Sequence, residues 1–204
     1  MATIQEQFQK GLTAEEYRSQ MTQKRDRFEE NERTVSLALD DLQFFTQLPN
    51  TLHVIVLTED WCEPAIANVP VLVRLATESG KLDLRFFLRE HNPDLMGQFL
   101  KDGLHATIPA FIFFDQVFHE IGRWYEMSAK IRDMGLEFRQ ELFSTDPAFA
   151  GIPFNTPIPQ LPDAARMNLF QALKEFRFRT REFSDREVVR EIREIIQRGL
   201  AINT

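Results

Sequence analysis

The first fifty residues carry hydrophobic side chains at helical spacing among many charged ones. Thr13-Ala14-Glu15-Glu16 resembles a capping box and predicts a helix over residues 13–30. Asn31 is the predicted cap of a second helix that ends near Leu48. The inward-facing positions of the two helices are Tyr17, Met21 and Phe28, then Val35, Leu39, Leu42 and Phe45. No catalytic pattern occurs here, so we interpret this segment as a helical arm that packs on the core or on a partner subunit.

From residue 50 the pattern changes to strands alternating with helices. The predicted strands are residues 52–57, 82–88, 110–114 and 117–124, of which the third is almost continuously apolar, as in a strand covered on both faces. Helices are predicted over residues 62–79, 93–101 and 128–143. Pro70 falls inside the first of these helices and is expected to kink it, and Gly80 is its expected stop. The predicted order is β-α-β-α-β-β-α.

The last sixty residues begin with a stretch rich in proline. Five prolines between residues 144 and 162 predict an extended connector, and helices are predicted over residues 163–178 and 185–198. The second helix has a hydrophobic stripe formed by Val188, Ile192, Ile195 and Ile196. We therefore expect one compact domain with an N-terminal helical extension (1–49), a core (50–143), a connector (144–162) and a C-terminal helical extension (163–204). The extensions either cover the core or form a homodimer.

Composition and charge narrow the function classes. The 204 residues have a net charge of −7, which argues against nucleic acid or an anionic membrane surface as a partner and is explained by solubility. No apolar segment approaches the length of a membrane span, and the N-terminus lacks the features of a signal peptide, so a cytoplasmic location is expected. Scattered histidines and sparse glycines form neither a metal site nor a phosphate-binding loop, so no cofactor is expected.

The one candidate for chemistry is Cys62, the only cysteine of the chain. It lies in Thr58-Glu59-Asp60-Trp61-Cys62-Glu63-Pro64-Ala65, where the first predicted strand gives way to a helix. The unpaired N–H groups of a helix N-terminus favour a thiolate there. The carboxylates of Glu59, Asp60 and Glu63 oppose this effect, so we expect a pKa above that of an activated cysteine. A single cysteine excludes an internal disulfide, which is consistent with a reducing compartment.

These features together resemble the thioredoxin-like superfamily. Trp61-Cys62 stands at the first strand–helix junction, Pro70 follows eight residues after Cys62, and Ile108-Pro109 precedes the third core strand. The resemblance covers about residues 50–143 and looks closest to bacterial thioredoxin-family proteins that read Thr-Glu-Asp-Trp-Cys and carry long helical extensions. It implies an α/β fold, a three-layer core of four strands ordered second, first, third, fourth, with added helices at both ends. It also implies a cis-proline beside the active site.

The departures from the family decide which activity the resemblance implies. Ala65 stands where thioredoxins have their second cysteine, and Val56 replaces their buried acid. Thiol chemistry at Cys62 is therefore expected to be monothiol exchange with an oxidised thiol, resolved by a small thiol such as glutathione or bacillithiol or by a protein thiol. Redox sensing through a sulfenic acid is a second use of the same residue. The alternative is a non-catalytic binding or assembly module that keeps only the fold.

The predicted site follows from this resemblance. Cys62 is the expected reactive residue. Trp61 is expected to shield the sulfur, and the Ile108-Pro109 backbone to hydrogen-bond the bound thiol or peptide. The expected substrate contacts are Trp61, Glu63, Pro64, Ala65, Ile108 and Pro109.

Overall fold

A computed structural model describes residues 2–202 and contains a four-stranded sheet in the order β2-β1-β3-β4. The strands are β1 (Leu52–Thr58), β2 (Leu82–Leu88), β3 (Ala110–Phe114) and β4 (Glu120–Tyr125). β1 pairs in parallel with β2 and antiparallel with β3, and β3 pairs antiparallel with β4. The predicted α/β fold and strand order are confirmed, with the hairpin strand β4 at one edge.

The α-helices are distributed before, between and after the strands. They are α1 (Ile4–Phe8), α2 (Ala14–Gln20), α3 (Arg25–Thr34), α4 (Leu39–Thr46), α5 (Glu63–Ser79), α6 (Pro93–Gln98), α7 (Ala129–Thr145), α8 (Asp163–Arg179) and α9 (Arg181–Ile202). Pro70 lies inside α5, which ends at Gly80 in the left-handed conformation that favours glycine (φ 64°). Within residues 2–202, no helix is both long enough and apolar enough to cross a membrane.

The chain folds into two compact units. The first comprises residues 2–127 with residues 185–202, and the second is Ser128–Ser184. Helix α7 corresponds to the helix predicted at the end of the core (50–143). It belongs to the second unit and has no fully buried residue. In the second unit a small core forms around Phe149, Leu161, Ala165 and Leu169. The proline-rich stretch contributes to it through two 3-10 turns, Pro147–Phe149 and Ile158–Gln160.

In the first unit, helix α9 completes the core. Its residues Val188, Ile192 and Ile196 are fully buried, as the hydrophobic stripe predicted. The indole N–H of Trp124 in β4 donates to Glu191 at 2.7 Å, and the Trp124 ring stacks on that of Phe111 with centroids 4.8 Å apart. α9 therefore packs on the face of the sheet that carries Phe111 and Trp124.

The N-terminal arm wraps around the β2 edge of the sheet. Phe8 packs against His53, while the Leu12 backbone exchanges hydrogen bonds of 3.0 and 2.8 Å with Phe86. Tyr17 then stacks on the Phe86 ring with centroids 4.9 Å apart. His53 and Phe86 lie on opposite faces, because side chains alternate along paired strands. The arm thus crosses from one face to the other and covers an edge that would otherwise expose unpaired backbone groups.

Several details of the predicted arm are wrong. Thr13 and Glu16 do form a capping box, but the helix ends at Gln20 and a new one begins at Arg25. Asn31 caps no helix: it lies inside α3, and its side chain donates to the Ile66 carbonyl at 2.8 Å. Leu39, expected on the inward face, is 83% exposed. The arm is shaped by tertiary hydrogen bonds that local helix signals do not contain.

The packing of α9 predicts a large loss of stability when a buried side chain of its hydrophobic stripe is truncated. Ile192→Ala should lower the free energy of unfolding by about 2–5 kcal/mol, because a fully buried side chain is replaced by a cavity. Gln197→Ala, an exposed position on the same helix, should change it by no more than about 0.5 kcal/mol. Urea unfolding of the two variants measures the difference, and equal values would show that α9 does not complete the core.

Candidate functional site

Cys62 lies between the end of β1 and the start of α5. It is the N-cap residue of α5, and its carbonyl accepts the first intrahelical hydrogen bond from the Ile66 N–H at 3.0 Å. Its Sγ lies 3.7 Å from the carbonyl oxygen of Ile108, and the Ile108-Pro109 peptide bond is cis. The fold therefore brings together two sequence segments, Trp61-Cys62 and Ile108-Pro109, that the resemblance placed in one site.

The residues predicted to contact substrate differ in accessibility. Trp61 is 36% exposed and Cys62 only 6%. Glu63 and Pro64 are half-buried. Ala65, Ile108 and Pro109 are buried. A molecule that approaches from solvent first meets the indole of Trp61 and the start of α5, with the sulfur beneath.

The ionisation of Cys62 depends mainly on its burial, which raises the pKa of the thiol. The nearby backbone N–H of Ala65 and the charges of Arg89 and Lys24 act in the opposite direction, and Glu126 adds to the increase. The sequence led us to expect a pKa above that of an activated cysteine, and a raised pKa is consistent with that expectation. The expected cause, crowding by neighbouring carboxylates, is not the leading one.

The carboxylates next to Cys62 are occupied by hydrogen-bond donors from other parts of the chain. Asp60 Oδ2 accepts from the backbone N–H groups of Thr22 and Gln23 at 2.7 and 2.9 Å and from the Thr22 hydroxyl at 3.1 Å. Glu59 is buried, and its Oε1 accepts from the Glu90 N–H at 2.8 Å. Both side chains therefore fix the backbone around the site.

Glu63 is held by two cations of the arm. Arg27 donates to both carboxylate oxygens, at 3.0 and 2.9 Å, and Lys24 Nζ lies 2.8 Å from Oε1. The hydrogen bonds from Arg27 are the largest cause of a Glu63 pKa of about 2. Since this carboxylate is already paired, it is not a free group for substrate binding in this conformation.

Arg89 contacts both segments that form the site, the one around Cys62 and the one that leads to Ile108. Its guanidinium lies over the Trp61 ring, with Cζ 5.2 Å from the centroid, and Nη1 donates to the Ala106 carbonyl at 3.5 Å. Trp61 precedes Cys62, and Ala106 lies two residues before Ile108. A stacked arginine of this kind adds cation–π attraction and positive charge at the entrance to the sulfur.

Tyr17 supplies a buried hydroxyl on the face of the sheet that carries Phe86. Its hydroxyl lies 3.4 Å from the Thr58 Oγ1, and burial raises its pKa to about 12. It therefore stays neutral at physiological pH. The position of the thioredoxin buried acid, Val56, is fully buried and apolar.

The sequence alone did not identify the two cations of the arm, Lys24 and Arg27, that contact the site. Lys24 and Arg27 lie 37 and 36 positions before their contacts at Trp61 and Glu63, in a segment without any catalytic pattern. No local spacing could have identified them.

For residues 2–202, no cluster of three or more histidine, cysteine, aspartate or glutamate side chains has an arrangement that could hold a metal ion.

Comparison with known proteins supports the family and the fold of the chain. A family model described as Thioredoxin matches residues 11–142. No curated protein matches the chain. A protein of unknown function from Pseudomonas aeruginosa, solved by crystallography, has a TM-score of 0.61 and 16% identity over 86% of this chain and 99% of its own. An HIV epitope scaffold has a TM-score of 0.60 and 15% identity over 85% and 99%. At such identities the two structures show the fold alone.

The burial of the sulfur predicts the pH profile of its reactivity. The rate of alkylation by iodoacetamide should rise with a midpoint above that of a free cysteine, because burial disfavours the thiolate. The midpoint is measured by quenching the alkylation at set times across the alkaline pH range. Intact mass is the readout, and Cys62→Ser is the blank. A midpoint below that of a free cysteine would contradict the assignment of burial as the leading cause.

The Glu63 ion pairs predict a dependence of stability on acid. The pKa of this group is lower in the folded protein, about 2, than its ordinary value of 4.5, so its contribution is present above 4.5 and is lost as the pH falls towards 2. The contribution is modest, because the side chain is 38% exposed. Wild type should unfold at higher urea than Glu63→Gln at near-neutral pH, and the gap should narrow on acidification. A gap that is independent of pH would show that the charge of Glu63 adds no stability.

Proposed function

Because this chain belongs to the thioredoxin family, whose model matches residues 11–142, we propose that Cys62 is a single redox thiol that exchanges with oxidised thiols. The observation that carries the proposal is the position of its sulfur. It lies at the N-cap of α5, 3.7 Å from the Ile108 carbonyl and beside cis-Pro109. A thiol at a helix N-terminus gains from the backbone dipoles there. The adjacent Ile108-Pro109 backbone is the proposed source of hydrogen bonds to an incoming thiol or peptide.

The proposed reaction has two steps. In the first, the Cys62 thiolate attacks one sulfur of a disulfide R–S–S–R′, the S–S bond breaks, and R′S⁻ leaves while R stays on Cys62 as a mixed disulfide. In the second, the thiolate of a further thiol R″SH attacks the R sulfur, releases R–S–S–R″ and restores Cys62. The electrons come from R″SH, so the protein needs no resolving cysteine of its own. Because Ala65 stands where thioredoxins have their second cysteine, the mixed disulfide cannot be resolved by a thiol of the same chain.

The surroundings of Cys62 predict the character of this exchange. A thiol that is 6% exposed and has a raised pKa reacts more slowly than one that is exposed and ionised. Trp61 supplies an apolar surface for the partner, and the Ile108-Pro109 backbone supplies hydrogen bonds. Glutathione, bacillithiol or a protein thiol in a reducing bacterial cytoplasm is the proposed partner class, and peroxide sensing through a sulfenic acid is the second proposed use of the same thiol.

One experiment separates this function from a non-catalytic binding or assembly module. Purified protein is incubated with oxidised glutathione, oxidised bacillithiol and the uncharged 2-hydroxyethyl disulfide, and its intact mass is then measured. We expect one adduct per chain, reversed by the matching reduced thiol and absent from Cys62→Ser. If no disulfide gives an adduct and alkylation is as slow as that of a buried thiol in a folded core, the redox function is excluded and the binding or assembly module stands.

A further inference from the structure

The N-terminal arm contacts the backbone and side chains on both sides of Cys62. Thr22 and Gln23 bind Asp60 before it, and Arg27 binds Glu63 after it. One turn further along α5, Asn31 donates to the Ile66 carbonyl. The arm therefore follows the site loop and the first turns of α5, and it meets them through polar groups rather than through apolar packing alone.

Lys24 occupies the centre of this contact. Its Nζ donates to the Trp61 carbonyl and pairs with Glu63 Oε1 at 2.8 Å, so it bridges the residues that precede and follow Cys62. Its backbone has φ 53°, a conformation that non-glycine residues rarely adopt and that the surrounding structure must maintain. The bonds from Thr22 and Gln23 to Asp60 hold the turn immediately before it.

We propose that Lys24 is a positioning residue for the Cys62 site, which holds the Trp61-Cys62-Glu63 backbone and provides positive charge beside the sulfur. The site is then composite: β1, α5 and the Ile108-Pro109 segment supply the thiol and its backbone neighbours, and the arm supplies one of the two cations that lower the pKa of the thiol. The inference concerns the thiol on which the proposed function rests. It is tested by alkylation, which does not require that function.

Other charged groups around the sulfur limit the size of the effect. Arg89, which follows β2, acts in the same direction as Lys24, and Glu126, which follows β4, acts in the opposite direction. Glu63 on α5 is paired with Arg27 and keeps this partner when Lys24 is replaced. The Tyr17 hydroxyl stays neutral at physiological pH. Replacement of Lys24 thus removes one cation from a site that retains another.

The test compares Lys24→Met with Lys24→Arg and with Arg25→Met. Arg25 is the adjacent cation, and it pairs with Glu29 on its own helix. The probe is iodoacetamide, which is uncharged, so the charge of the reagent does not enter the comparison. The alkylation rate of Cys62 is measured against pH at low salt, where charge effects are largest. Thermal unfolding of each variant reports whether it is folded.

At low salt and neutral pH, Lys24→Met should alkylate roughly twofold to fivefold more slowly than wild type, with the midpoint of its pH profile shifted upwards, as expected for one partly exposed charge. Lys24→Arg should restore the rate, and Arg25→Met should match wild type. A difference that Lys24→Arg does not restore would overturn the role of the charge. An unchanged profile in Lys24→Met would overturn the inference as a whole.

Failure of this inference can be distinguished from failure of the proposed function. If wild type forms no mixed disulfide but Lys24→Met shifts the alkylation profile, the positioning role holds and the redox function does not. If wild type forms the mixed disulfide and Lys24→Met alkylates as wild type does, the function holds and the role of Lys24 does not. Should Lys24→Met fail to fold, Lys24→Gln, which removes the charge but keeps a donor for the Trp61 carbonyl, is measured in its place.

Discussion

The contact between the N-terminal arm and the loop that precedes α5 is the interaction on which the site depends. Asp60 accepts three hydrogen bonds from Thr22 and Gln23. Glu63 is paired with Lys24 and Arg27. Carboxylates that would otherwise place negative charge around the sulfur are thereby paired with donors. What remains to raise the pKa of Cys62 is chiefly its burial.

The arm reaches this loop because of the way it crosses the sheet. Phe8 packs on one face, Leu12 pairs with the backbone of Phe86 at the edge, and Tyr17 stacks on the other face. The same crossing protects the β2 edge from unwanted pairing. Gly11 permits it, since a Cβ at that position would lie 2.6 Å from the Cβ of Arg85. Protection of the edge and construction of the site thus come from one segment.

Much of the core could be predicted from the sequence because its signals are local. The apolar run at 110–114, the glycine stop at Gly80 and the stripe of Val188, Ile192 and Ile196 all appear in the structure as expected. The break between α2 and α3 could not be predicted, since residues on either side continue the helical pattern. Asn31 illustrates the reason: the side chain read as a helix cap instead binds a carbonyl 35 positions away.

The sequence by itself determined the location of a single thiol at a strand–helix junction, because this depends on residue types and short spacings. The same features supported the family resemblance, and the strand order was inferred from that resemblance. Only the tertiary structure decided how buried that thiol is, which charges surround it and which helix completes the core. Those properties depend on Lys24, Arg89 and α9, which are distant from Cys62 along the chain and reach its neighbourhood only when the sheet forms. Local sequence therefore specified the position of the thiol, and long-range packing specified its environment.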